Sequence, residues 1–290
     1  MEKRAPKLTE GSVGRHLVNM SLPMLFGITT MMAQAFIDTW FLGKVGDRAL
    51  AAYSFGFPIL MIVTSVAIGL GAGTSSVVAR AIGSDDHARA RRLSTDSLIL
   101  SLIIAIVCAV VGMLTIDPLF AMLGAPADMM PTIRPFMMIL YSAVPFIMLG
   151  MVGTASMRAT GDTLLAGKLM IAAAILNILL DPIFIFSFGL GVEGAALATV
   201  CANLASFSVG FYCLQKHHGF LVMPTVDSIR RILRPLSRIA LPAIATQLAT
   251  PFSIAYLTAV TAQFGTDAVA GVAVINRLIP VAFGIIFSLS

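Results

Sequence analysis

Eight runs of predominantly apolar residues, roughly 16–42, 50–80, 97–121, 133–157, 164–189, 195–215, 239–263 and 268–290, take up most of this chain. A helix needs about 20 such residues to cross the hydrocarbon core of a bilayer. Inside that core there is no water to satisfy backbone N–H and C=O groups, so a lone spanning segment satisfies them within itself. The expected fold class is therefore all-α, as a polytopic membrane protein. Only 11% of the residues are charged, against about 25% in a soluble domain. No secretory signal peptide is expected, because residues 1–15 are polar and the first apolar run is too long for a signal core. Cys108, Cys201 and Cys213 sit singly in apolar runs and read as packing residues.

The basic residues give an orientation. With the N-terminus inside the cell, fifteen of the nineteen Lys and Arg residues fall on the inner side: the tail, the turn after the second run, the turn after the fourth, and the stretch from Lys216 to Arg238. The others are Lys44, Arg48, Arg134 and Arg277. This bias places the protein in the plasma (inner) membrane with a cytoplasmic N-terminus. The formal charge of +5 then reflects basic loops and not a nucleic-acid partner.

Residues 216–238 form the longest polar interruption, and after them the pattern begins again. Pro23 and Pro242, Leu22 and Leu241, Thr39 and Thr258, Gly46 and Gly265, Ala49 and Ala268, and Ala51 and Ala270 all match at one offset of 219. The organisation expected is a six-helix N-terminal lobe at 1–215, a cytoplasmic linker at 216–238, and the first two helices of a second lobe at 239–290. Six-span halves running in the same direction are an established transporter plan. A second lobe equal to the first would need about four more helices, so the sequence reads as truncated at its C-terminal end.

Two acids stand inside these apolar runs: Asp38 in the first and Asp181 in the fifth. An intramembrane charge costs roughly 2.5–3.5 kcal/mol on insertion scales, and residues of this kind line ion or substrate paths. Asn177 precedes Asp181 by one helical turn, on the same face. Gln34 bears the same relation to Asp38. The bland alternative is a hydrogen-bonded cluster pinning two helices together. Pro23 removes a helical hydrogen bond and is a hinge candidate, or is simply a proline tolerated in the first turn of its span. Pro182, directly after Asp181, reads either as a break that aims carbonyls at the site or as a plain kink. Arg277, within the eighth run, is expected to face a water-filled cavity or to snorkel to the interface. Several methionines, Met31, Met151 and Met157 among them, could line a cavity, although packing is the simpler reading. Gly69-x-Gly71-x-Gly73 lies in mid-span and reads as helix packing, not a dinucleotide loop.

Three segments in order and at consistent spacing resemble the multidrug and toxic compound extrusion (MATE) transporters. They are "FIDTWFLGKVGDRALAAYSFGFPI", "ASMRATGDT" at residues 155–163, and "NILLDPIFIFSFGLGVEGAALAT" at 177–199. The resemblance implies two six-helix lobes around a V-shaped cavity. It implies export of organic, often cationic, compounds in exchange for Na⁺ or H⁺. It also implies an N-lobe cation site at the positions of Asp38, Asn177, Asp181 and Thr199, and a bending proline at Pro23. These four residues offer oxygens, the ligands that hard cations prefer, and the carboxylates could carry a proton instead.

A secondary antiporter is thus the expected function. It would take small organic substrates, use no cofactor beyond the coupling ion, and work as a monomer in the bilayer. The alternative is a lipid-linked precursor flippase of the same superfold, which should carry a more basic cavity. A membrane prenyltransferase would need two Asp-rich motifs, and only Asn177-x-x-x-Asp181 faintly resembles one. A channel would not call for repeated halves. No Walker motif is present to couple ATP directly.

Overall fold

The computed structural model describes residues 13–219, 222 and 226–261. Among these residues there are eight α-helices and no strand: α1 (Val13–Val45), α2 (Asp47–Gly83), α3 (His87–Leu114), α4 (Ile116–Met122), α5 (Met130–Ala159), α6 (Thr163–Pro182), α7 (Gly191–Cys213) and α8 (Val226–Thr261). Six of them, α1, α2, α3, α5, α6 and α7, are long and apolar enough to cross a membrane. The seventh expected span falls in the second half of α8. The eighth, with Arg277, lies outside the described residues.

The bundle is organised around α5, which packs against α2, α3 and α7. α1 packs chiefly on α6, and α8 lies along α2 and α3. Burial on α3 reverses the pattern of a soluble helix. Its inner face is small or polar apart from Leu98, with Ser94, Thr95, Asp96, Ser97, Ser101, Ala105, Ala109 and Gly112. Ile103, Ile106, Val107, Val110, Val111 and Leu114 point outward. Small residues let helices approach closely, and in lipid the large apolar side chains gain nothing by turning inward.

The turns follow local chemistry. Gly46 joins α1 to α2 alone, at φ +138°, a backbone angle that side-chain-bearing residues rarely adopt. Asp86 caps α3 by accepting from the Arg89 N–H at 3.0 Å, and Asp162 caps α6 by accepting from the Leu165 N–H at 3.1 Å. Where α2 and α5 begin and α1 ends, Arg48 pairs with Asp128 at 3.0 Å, Arg134 pairs with Asp117, and Lys44 lies over the Trp40 ring. The Arg134 guanidinium holds the Asp117 carboxyl, on α4, below the ordinary carboxylate range.

The structure refines the sequence reading at four points. The third run is not one helix: α3 stops at Leu114, Thr115 leaves helical geometry at φ −106° and ψ 10°, and α4 starts afresh. The fifth run ends as a helix at Pro182 and continues as a single wide turn, Ile183–Ser187. A proline cannot donate to the carbonyl four residues back, and that lost bond loosens the ladder. Pro23 lies inside α1, which extends before it to Val13, and in the first turn of the membrane-length segment Ser21–Val45. The stretch 216–238 is helical from Val226 onward. There Ile232, Leu236 and Ala240 recur at four-residue spacing and are buried, while Arg230, Arg231 and Arg234 are exposed. The linker is therefore largely an amphipathic helix whose charges gave it the composition of a loop. Ser228 Oγ donates to Asp96 Oδ1 at 2.7 Å, and the Val222 N–H donates to Thr95 Oγ1 at 3.1 Å, fastening this helix to α3.

The α1–α6 seam depends on one missing side chain. A Cβ at Gly167 would lie 2.8 Å from the Pro23 carbonyl oxygen and 3.1 Å from its carbon. Overpacking a close contact costs about 1–3 kcal/mol. Gly167→Ala is expected to lower the unfolding temperature of the detergent-purified protein. Gly43→Ala, where nothing lies within 4 Å of the added carbon, should leave it unchanged or slightly raised. Thermal unfolding of the two variants beside the wild type checks this.

Candidate functional site

The closeness of α1 and α6 brings together the acids that sequence reasoning singled out. Asp38, on α1, is 8% exposed; Asn177 and Asp181, on one face of α6, are 2% and 0% exposed. The Asp38 and Asp181 carboxyls face each other within hydrogen-bonding reach. Gln34, one turn earlier on α1, shares the wall of a small cavity with Asp38. α7 supplies the fourth member. Asn177 Nδ2 donates to Thr199 Oγ1 at 3.4 Å, and that hydroxyl donates to the Ala195 carbonyl at 3.0 Å. Asn203 Nδ2 donates to the Thr199 carbonyl at 2.8 Å. α7 can come this near because Gly194 has no side chain; a Cβ there would lie 2.6 Å from the Phe184 carbonyl.

Among the described residues no donor reaches Asp38 Oδ1, Asn177 Oδ1, Asp181 Oδ1 or Asp181 Oδ2. Leaving one buried polar atom unpaired costs about 1–3 kcal/mol, and more when the group is charged. Four such atoms sit in one cluster, and all are acceptors. Two carboxylates in contact cannot bond to each other without a proton between them. Such a set of acceptors is chemically suited to a proton shared by the carboxyls, or to a hard cation held by carboxylate, amide and hydroxyl oxygens.

Two cavities adjoin the cluster. The smaller, about 80 Å³, is walled by Asp38, Gln34 and Thr199 together with Tyr53, Phe136 and Ala196. The larger, about 270 Å³, runs along α5, α6 and α7 and includes Gln34, Asn177, Thr199, Asn203 and Arg158 in its lining. Gln34, Leu60 and Thr199 belong to both.

Asp38, Asn177, Asp181, Thr199 and Gln34 are thus assembled in one place. Pro23 is not among them: fifteen residues earlier on α1, it stands about 22 Å away along the helix axis and faces Gly167 instead. Of the methionines, Met31, Met151 and Met157 do line the larger cavity. Three polar residues were missed. Tyr53, on α2, lines the smaller cavity together with Asp38. Asn203 is one turn beyond Thr199, a spacing that could have revealed it. Arg158 was counted only as a loop charge.

Comparison with known proteins adds an independent finding. The family profile described as MatE matches residues 23–183. The chain is similar to a Shewanella oneidensis protein named FAD transporter, 38% identical over 289 residues, covering 98% of this chain and 64% of that protein. It is also similar to the multidrug export protein MepA of Staphylococcus aureus, 25% identical over 270 residues, covering 92% of this chain and 60% of that protein. Among solved structures, the Vibrio cholerae MATE transporter VcmN in its bent form matches with a TM-score of 0.90 and 33% identity, covering 95% of this chain and 63% of that one. A MOP superfamily transporter from Pyrococcus furiosus matches with a TM-score of 0.91 and 30% identity, covering 100% of this chain and 65% of that one. The chain spans less than two thirds of the length of each of these proteins.

If a positive charge completes the cluster, its supply should stabilise the fold by mass action. Adding Na⁺, or protons by lowering the pH, is expected to raise the unfolding temperature of the wild-type protein in detergent. In Asp38→Asn and Asp181→Asn the repulsion is already gone, so both variants should start higher without salt and respond less to the ion. An unfolding series over NaCl and pH reads this directly.

Proposed function

The chain belongs to the MatE family, and on that premise we propose that it acts in secondary active antiport, exporting small organic compounds in exchange for Na⁺ or H⁺. The contact of two desolvated carboxyls with no donor between them is the observation that carries this reading. In it, Asp38, Asn177, Asp181 and Thr199 form the coupling site, and Gln34 and Tyr53 border it. An ion entering from outside neutralises the pair and stabilises the arrangement in which α1 lies close to α6. The pair without an ion favours a different arrangement. A ligand shifts such an equilibrium only by its differential affinity for the two states. The membrane potential alone contributes about 2.3 kcal/mol per charge per 100 mV to ion entry.

The reading sets the protein in the plasma membrane as a monomer, with its N-terminus in the cytoplasm, so that the basic turns face inward. The relatives' names support a substrate range that includes organic compounds of the kind a multidrug exporter removes, and FAD. The larger cavity, with methionine and phenylalanine beside Asn and Thr, suits ligands of mixed character. Among the described residues a single basic side chain lines it, which favours efflux over a lipid-linked precursor flippase with a strongly basic cavity.

Cells expressing the protein should lose preloaded ethidium faster than control cells. Removing external Na⁺, or collapsing the proton gradient, should abolish the difference, and whichever treatment does so identifies the ion. Asp38→Asn and Asp181→Asn, at equal expression, should lower efflux at least tenfold. Undiminished, ion-dependent efflux by both variants would sink the coupling role.

A further inference from the structure

Arg158 carries the one basic side chain that lines the larger cavity among the described residues. It stands in the last turn of α5, at the end of the bundle away from the acid pair. An arginine there commonly binds the last carbonyls of its own helix. Here two of those carbonyls are already engaged. The Met157 carbonyl accepts from the Thr160 N–H, the Thr160 hydroxyl and the Asp162 N–H, and the Arg158 carbonyl accepts from the Gly161 N–H. None of the ion pairs or side-chain hydrogen bonds among the described residues includes the guanidinium. A half-buried guanidinium without a counter-charge is costly, and its planar fork of donors matches phosphate and carboxylate oxygens.

The rest of the cavity says what such an oxyanion would be attached to. Phe207 and Phe211 form part of the wall, their ring centroids 5.7 Å apart, and Met157 and Met170 line it too. At the other end Gln34, Asn177 and Thr199 separate it from the carboxyls of Asp38 and Asp181. The cavity therefore has a positive end, an aromatic and thioether wall, and an end that repels anions. A ligand with one anionic group has a single favourable direction in it.

We propose that Arg158 is a substrate-binding residue that holds the phosphate or carboxylate of an organic anion, with the ligand's aromatic body against Phe207 and Phe211 and its charge directed away from the acid pair. The proposal rests on the efflux reading and adds the chemical class of one substrate group. A cavity of about 270 Å³ sits at the small end of ligand sites, which run from about 300 Å³ upward, so it takes an aromatic head with its oxyanion rather than a large dinucleotide whole.

Riboflavin and FMN differ only by a phosphate ester, and their fluorescence reports binding to the purified full chain in detergent. Wild-type protein is expected to bind FMN at least tenfold more tightly than riboflavin, with the preference weakened by salt and by inorganic phosphate. Arg158→Gln should remove the preference and leave riboflavin binding unchanged; Arg158→Lys should keep part of it. A matched carboxylate pair, pyrenebutyrate and pyrenebutanol, should repeat the pattern. Equal binding of FMN and riboflavin by the wild type would overturn the proposal, as would a preference that survives in Arg158→Gln. Phosphatidylglycerol displacing FMN at lower concentration than FMN itself binds would make a lipid headgroup the occupant and overturn it too. If Arg158→Gln does not fold, the salt and phosphate dependence of the wild type decides: an FMN preference indifferent to both excludes the guanidinium. Ethidium, which carries no anionic group, tests the efflux reading separately through its energy-dependent export by the wild type. Absence of that export would sink the efflux reading while leaving the flavin comparison intact.

Discussion

Asp38 and Asp181 meet in the interior of the bundle, and two unit charges about 4 Å apart repel by about 4 kcal/mol even at an effective dielectric of 20. α1 and α6 must be held together against that force whenever both groups are ionised. The seam does so by close backbone approach: Gly167 lies against the Pro23 carbonyl, and Gly27 faces Met170. The site and the seam are therefore one feature. Any widening of the gap between these helices relaxes the repulsion, and any cation or proton between the acids reverses its sign.

α7 takes part through hydrogen bonds rather than charge. Asn177 bridges from the acid-bearing face of α6 to Thr199, and Asn203 reinforces the same turn of α7. The wide turn after Pro182 sits against Gly194, so the end of α6 and the start of α7 are packed backbone to backbone. A rotation of α6 about its axis would shift Asp181, Asn177 and the Thr199 bond together. The larger cavity shares Asn177 and Thr199, so movement at the acid pair reaches that cavity's wall without a separate relay.

Much of this was legible in the sequence because hydrocarbon imposes hard rules. Long apolar runs must be helices, and an acid within one must have a purpose; those two constraints marked Asp38 and Asp181 without a structure. The four-residue spacing added Asn177 and Gln34. Thr199 followed only from the family resemblance, since a threonine in an apolar helix carries no distinguishing signal. Composition failed where polarity and helicity coexist: four arginines made residues 226–238 look like loop, although Ile232, Leu236 and Ala240 kept a helical beat. It failed again at Tyr53 and Arg158, whose roles come from which neighbours the bundle brings near. A tyrosine reads as core and an arginine beside a turn reads as topology until the cavity they border exists.

The placement of opposite charges at the two ends of one cavity has a consequence for coupling. While the acids are unneutralised, their field disfavours an anionic ligand anywhere nearby and favours a cationic one. Once an ion is bound the field largely cancels, and an anion at Arg158 is no longer opposed. Linkage requires the effect to be mutual: a ligand whose affinity rises when the ion binds must raise the ion's affinity by the same factor. Organic cations and organic anions should then couple to the ion with opposite sign at this site. For an exporter that must release its cargo as the ion arrives, the cation is displaced by direct electrostatics, whereas the anion requires the conformational change of the lobe to expel it. The same acid pair can thus serve both kinds of cargo only if helix movement, and not charge competition alone, carries the exchange.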